Sequence, residues 1–134
     1  MNNEDKHWLA AKVDLLSRHI TLFDSARGAT QDWFQFNNAE CLQVLFPYLL
    51  EAGGFYKDRP SLKSEATATF QPFTISREEK DKCPQQSVSG DCSVFMVKCI
   101  EYLSAGRELD YVQDNMQFFR EKYAVDIFHR ELSM

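Results

Sequence analysis

The sequence predicts a small α+β domain in which a β-hairpin and sheet pack on a buried helix. Three observations predict it. An alternating segment near the start, His7–Val13, is followed after four residues by a β-rich segment, Arg18–Asp24. An apolar run from Val94 to Leu103 is too long for a typical strand and is apolar on nearly every face, as in a buried helix. Two further stretches, Asn38–Ala52 and Asp110–Ile127, repeat apolar residues at helical spacing.

In the first strand His7, Leu9, Ala11 and Val13 share one face, with Trp8, Ala10 and Lys12 on the other. A turn over Asp14–Ser17 with Val13 opposite Arg18 makes facing residues sum to 31, which sets His7 across from Asp24. Directly opposed side chains lie roughly 5 Å apart at Cβ, so an imidazole and a carboxylate would meet. A one-residue slip would destroy that pairing. The same register sends His19 to the other face, opposite Lys12, and makes it the poorer candidate. Taken alone, His7 and Asp24 read more readily as an ordinary cross-strand pair; Cys92 is what changes that.

Ser25–Phe36 reads as irregular. In the helix over Asn38–Ala52 the core stripe is Cys41, Val44, Leu45, Tyr48, Leu49 and Ala52, and Gly53-Gly54 ends it. Pro47 predicts a kink or break inside it. Lys57–Ala68 is a polar surface loop, Thr69–Ile75 an edge strand because of Pro72, and Ser76–Lys82 a solvated connector. Gly90 and Asp91 introduce the buried helix, Gly90 as the turn and Asp91 as the N-cap. In the last helix Asp110 is the expected cap with Gln113 completing a capping box. Val112, Met116, Phe119, Tyr123 and Ile127 form its core stripe.

At 134 residues the chain is long enough for one core. A hydrophobic fraction of 44% and an aromatic fraction of 13% belong to a folded protein. A net charge of −5 without basic clusters argues against a nucleic-acid partner. No apolar run reaches spanning length and the first residues are polar, so neither a membrane nor export is expected. The four cysteines, Cys41, Cys83, Cys92 and Cys99, lack C-x-x-C spacing, which argues against zinc, and reduced thiols are expected.

Cys92 falls in the first turn of its helix, where the macrodipole and unpaired N–H groups favour a thiolate. Gln86, six residues earlier, offers a side-chain amide to the oxyanion that forms when a thiolate attacks a carbonyl. A histidine, a carboxylate, a helix-terminal thiol and an amide donor together suit acyl transfer. Cys99 lies two turns along the same side and reads as packing, as does Cys41. Cys83 is expected in a loop, open to oxidation, and His129 in solvent.

The segments His7-Trp8, Leu22-Phe23-Asp24-Ser25 and Pro84-Gln85-Gln86 through Gly90-Asp91-Cys92 resemble the ubiquitin-like-protein-specific (SUMO/sentrin-specific) cysteine proteases. Order, spacing and identity agree together, with 17 positions from His7 to Asp24 and 6 from Gln86 to Cys92. Phe46–Leu50 and Glu101–Ser104 look closest to plant, transposon-associated members. The resemblance implies a papain-like fold. It implies Cys92 as nucleophile, His7 as base and acid, Asp24 as the residue orienting His7, and Gln86 as oxyanion donor. Trp8 would wall a tunnel around the substrate's C-terminal Gly-Gly. The implied partner is a SUMO-like ubiquitin-like modifier and its conjugates, the enzyme a cofactor-free monomer of nucleus or cytoplasm. The chain departs from the pattern at Ser93, where the family has glycine after the nucleophile. His7 stands so near the start that the chain is expected to be an N-terminally truncated, partial catalytic domain over residues 1–134. The alternative reading is a catalytically inactive relative that binds a modifier without cleaving it.

Overall fold

The computed structural model describes residues 1–3 and 7–132. The chain divides into two compact units. One comprises Met1–Ala10, Phe23–Arg27 and the chain from Glu78 onward; the other comprises Ala11–Leu22 and Gly28–Arg77.

The first unit contains strands β1 (Asn2–Asn3) and β2 (His7–Trp8), paired antiparallel with Asn3 opposite His7. It also holds two long helices, α3 (Cys92–Ser104) and α4 (Met116–Leu132). The turn before α3 uses Gly90 at φ +95°, a conformation that costs a residue with Cβ dearly. Cys92, Val94, Phe95, Lys98 and Cys99 form the buried side of α3. Its other side is open: Val97 is 36% and Ile100 50% exposed, so this helix is less enclosed than its apolar sequence predicts. Lys98 is buried although charged. Its ammonium sits 4.2 Å from the Phe119 ring centroid and 4.8 Å from that of Tyr123, and pairs with Glu101 at 2.5 Å. Two aromatic faces and one carboxylate replace the water it gives up. Two apolar clusters flank α3. Ala10, Phe23, Cys83 and Cys99 form one; Val94, Phe95, Tyr111 and Met116 form the other.

The stripe predicted on α4 is right over Met116, Phe119 and Tyr123, which pack against the second cluster, and fails at Val112 and Ile127, which are 57% and 60% exposed. The helix is not begun by Asp110. A 3-10 turn over Gln113–Asn115 leads into it, and Asn115 Oδ1 accepts the Val112 N–H at 2.9 Å. That frees Gln113 for another task.

The second unit contains helix α1 (Asp32–Ala52), a short helix α2 (Glu65–Ala68) and most of a sheet. The sheet runs β3 (Ala10–Asp14), β4 (His19–Phe23), β5 (Thr74–Arg77), with β5 at the edge and parallel to β4. The turn joining β3 to β4 is Leu15–Arg18, one residue later than expected. Asp14 Oδ1 accepts the amides of Leu16 and Ser17 at 2.9 and 3.0 Å, and Arg18 takes φ 55°. Asp14 therefore closes the ladder as a strand residue, and the register that set His7 opposite Asp24 does not hold. β5 starts only after Pro72, as a residue without an N–H requires.

Helix α1 begins six residues before the expected start and includes Trp33, Phe34 and Phe36. It also passes through Pro47 unbroken. Proline removes the donor that the carbonyl four residues back would use. Here the Gln43 carbonyl instead accepts the Phe73 backbone N–H at 3.0 Å, while the Gln43 side chain donates to Phe73 O at 2.7 Å. The inward side of α1 is Gln35, Ala39 and Pro47. The stripe expected in the core faces solvent instead: Leu45 is 51%, Tyr48 52% and Leu49 59% exposed, and Cys41 is exposed with them.

Candidate active site

Every residue singled out for chemistry belongs to the first unit. His7 lies on β2 and Asp24 just beyond β4, so they are not partners in one hairpin ladder. They meet nonetheless: His7 Nε2 and Asp24 Oδ1 are 2.7 Å apart. The Asp24 side chain is fully buried, and its Oδ1 also accepts the Ala26 backbone N–H at 2.8 Å. A carboxylate withdrawn from water needs such donors to stay charged. The Asp24 bond holds the His7 imidazole above its ordinary value of 6.5; partial burial opposes this, and the Asp24 charge and the Cys92 side chain add to it.

Cys92 is the first residue of α3, buried to 8% exposure, and close enough to His7 to help hold its imidazole up. With Nε2 committed to Asp24, Nδ1 is the ring nitrogen left for a further partner. The imidazole is thus bonded to a buried carboxylate and has a thiol at a helix N-terminus in its neighbourhood.

Asp91 occupies the N-cap position but does not cap with its side chain. Its carboxylate turns to α4, where Arg120 Nη2 and Nε donate to Oδ1 at 2.5 and 3.0 Å, and Gln113 Nε2 donates to Oδ2 at 2.6 Å. Arg120 keeps Asp91 below the usual carboxylate range, and the Gln113 amide contributes in the same direction. Cys92 follows immediately, so the guanidinium offsets a negative charge beside the sulfur.

Gln86 is tied to the turn after Asp24. Its backbone N–H donates to Ser25 O at 2.7 Å, and the Ser25 hydroxyl donates to Gln86 Oε1 at 3.2 Å. With its carbonyl end engaged, the amide has its N–H groups left to offer. Gln85 anchors the same segment from the other side, donating to Asp24 O at 2.8 Å and Cys83 O at 2.9 Å and accepting the Arg27 N–H at 3.1 Å. Ser25, Gln85, Gln113 and Arg120 were not anticipated in these positions. Gln113 is expected in a helix cap, Ser25 and Gln85 stand inside the resembling segments without a role of their own, and no local pattern signals Arg120.

Trp8 is 41% exposed and lines a small cavity of about 10 Å³ with Phe23, Ser25, Pro84, Met96 and Tyr111. His19 is committed elsewhere, Nδ1 to the Thr74 hydroxyl and Nε2 to the Ser76 hydroxyl, both at 2.7 Å. Cys83 is not open to oxidation as expected: it is 4% exposed, and burial pushes its thiol up to about 12. His129 is exposed. Among the described residues no group of three or more His, Cys, Asp or Glu side chains converges to hold a metal. No described helix is long and apolar enough to cross a membrane.

Comparison with known proteins identifies the family. Residues 1–133 match the model of the Ulp1 protease family, C-terminal catalytic domain. Human sentrin-specific protease 2 is 25% identical over 126 residues, covering 94% of this chain and 19% of that protein. Ubiquitin-like-specific protease 1A of Arabidopsis thaliana is 25% identical over 121 residues, 90% of this chain and 21% of that one. Mouse sentrin-specific protease 3 is 24% identical over 128 residues, 96% and 19% respectively. The chain spans about a fifth of the length of these relatives. With the α+β architecture and nearly its whole length matched, the chain belongs to the Ulp1 protease family.

Proposed function

We propose that this chain is a cysteine peptidase and isopeptidase that cleaves after the C-terminal Gly-Gly of a SUMO-like ubiquitin-like modifier. The observation that supports it best is the 2.7 Å contact of His7 with fully buried Asp24, on a ring whose proton the nearby Cys92 side chain also helps to hold. In this reading His7 takes the Cys92 proton and the thiolate attacks the glycine carbonyl. The oxyanion accepts hydrogen bonds from the Gln86 amide and the Cys92 backbone N–H. His7 then protonates the leaving amine, and a thioester links the modifier to Cys92. Water deprotonated by His7 hydrolyses that thioester and returns the free thiol. The half-exposed Trp8 indole walls a passage that only a side-chain-free Gly-Gly tail threads. The names of the relatives, sentrin-specific and ubiquitin-like-specific proteases, support the substrate class. In this reading residues 1–134 act as one catalytic unit, without cofactor, as a monomer in the nucleus or cytoplasm.

A second reading, a binding module without turnover, is favoured by Ser93, half-buried in the turn that carries the nucleophile. Probes made from SUMO-type, Nedd-type and ubiquitin bodies, each ending in a thiol-reactive group in place of the terminal glycine carboxylate, separate the two. The peptidase reading expects an adduct on Cys92, lost in His7→Ala, with one modifier. A folded chain that binds a modifier yet forms no adduct would select the binding module.

A further inference from the structure

The loop between Gln86 and Cys92 has little to hold it by packing. Ser87, Ser89 and Gly90 are exposed, Val88 is 57% exposed, and Gly90 sits at φ +95°. Yet the distance and angle between an oxyanion donor and a nucleophile must be kept to a fraction of an ångström. One side chain reaches both ends of the loop. Gln113 Oε1 accepts the Ser87 N–H at 2.9 Å and the Val88 N–H at 3.4 Å, directly after Gln86. Its Nε2 donates to Asp91 Oδ2 at 2.6 Å, directly before Cys92. Arg120 closes the same end by donating to Gly90 O at 2.8 Å and to the Asp91 carboxylate.

We propose that Gln113 is a positioning residue that latches the Ser87–Asp91 loop and so sets Gln86 relative to Cys92. The inference rests on the peptidase reading of the site. An amide suits the task because it accepts at one end and donates at the other. A carboxylate would repel Asp91, and alanine would free both ends. The latch touches neither His7 nor the sulfur. Its loss impairs oxyanion stabilisation while leaving the thiol and imidazole as they are.

The test compares two reactions of Cys92 in Gln113→Ala. Release of aminomethylcoumarin from a SUMO-type modifier amide passes through an oxyanion; alkylation by iodoacetamide, read at the Cys92 peptide by mass spectrometry, does not. Coumarin release is expected to fall by at least about 10-fold, short of the roughly 10²–10³-fold for outright loss of a donor. Alkylation should stay within about two-fold. Backbone exchange at Ser87 and Val88 should rise roughly 3- to 10-fold, the worth of one lost hydrogen bond. Gln113→Glu should be impaired likewise. Adding Asp91→Asn to it reverses donor and acceptor across the contact and should recover much of the loss in both rate and exchange. Unchanged amide exchange in Gln113→Ala, or equal losses in the two reactions, would overturn the proposal. If the wild-type chain releases no coumarin, the peptidase reading fails, while the exchange of Ser87 and Val88 still decides whether the latch exists.

Discussion

At the scale of single residues, the site turns on one buried carboxylate. Asp24 is shut off from solvent, so its charge leans on donors such as the His7 and Ala26 N–H groups, and His7 is drawn toward its cationic form in return. A histidine whose folded value lies above the unfolded 6.5 adds stability that is fully present below 6.5 and is lost as pH rises through the folded value. Asp24→Asn should therefore lower the His7 midpoint, read by NMR of the ring. Its stability deficit in urea should be largest near pH 6 or below and shrink as the wild-type ring titrates. A deficit that grows with pH would show that His7 is not the coupled group. Gln86 makes a separate claim. If its N–H groups meet the oxyanion, Gln86→Ala should cut acyl-transfer kcat by roughly 10²-fold with Cys92 alkylation unchanged. An undiminished kcat would remove it from that role.

At the scale of elements, α1 is where sequence and structure part. Its apolar residues are too many for one face, so periodicity marked a helix without marking its inner side. The stripe through Leu45, Tyr48 and Leu49 looks regular but faces water, whereas Ala39 and Pro47 point inward. What decides the matter is a long-range bond, the Phe73 N–H on the carbonyl that Pro47 leaves free. No local pattern contains it. Phe73 is 1% exposed, stacks on Phe46 at 5.8 Å and carries the Arg18 guanidinium at 4.9 Å from its ring. Phe73→Ala should cost about 3–5 kcal/mol in chemical denaturation. Leu45→Lys and Leu49→Lys should stay within about 0.5 kcal/mol, as surface changes do. Comparable losses from all three would restore the original stripe to the core. By contrast, the start of α3 was legible because it is local: Gly90 at positive φ followed by a helix opening at Cys92. Asp91 kept its place as N-cap but not its partner, since Arg120 and Gln113 come from 29 and 22 residues away. The expected meeting of His7 with Asp24 is made, but through β2 pairing with β1 and a turn one residue later than supposed. Residue identities and spacings pointed to the His7–Asp24 contact; the backbone register supposed for it did not hold.

At the scale of the whole molecule, the four cysteines report on the two units at once. Cys41 is exposed on α1, in the second unit. Cys83, Cys92 and Cys99 are buried in the first, but for different reasons. Cys83 and Cys99 sit in one apolar cluster, and burial pushes both thiols up to about 12. At pH 8 about one in 10⁴ of such thiols is ionised, and the thiolate is the reacting form. Cys92 differs in having an imidazole beside it and a helix N-terminus behind it. Native alkylation with iodoacetamide at pH 8 should therefore modify Cys41 and Cys92, and leave Cys83 and Cys99 until denaturant is added. In His7→Ala the Cys92 rate should drop while Cys41 is unaffected, because only Cys92 has the ring as proton acceptor. Site-by-site mass spectrometry separates the outcomes. Early modification of Cys83 or Cys99 would mean that the cluster around α3 opens in solution. Equal Cys92 rates with and without His7 would mean that the imidazole does not act on the sulfur, and the chemistry assigned to the site would go with it.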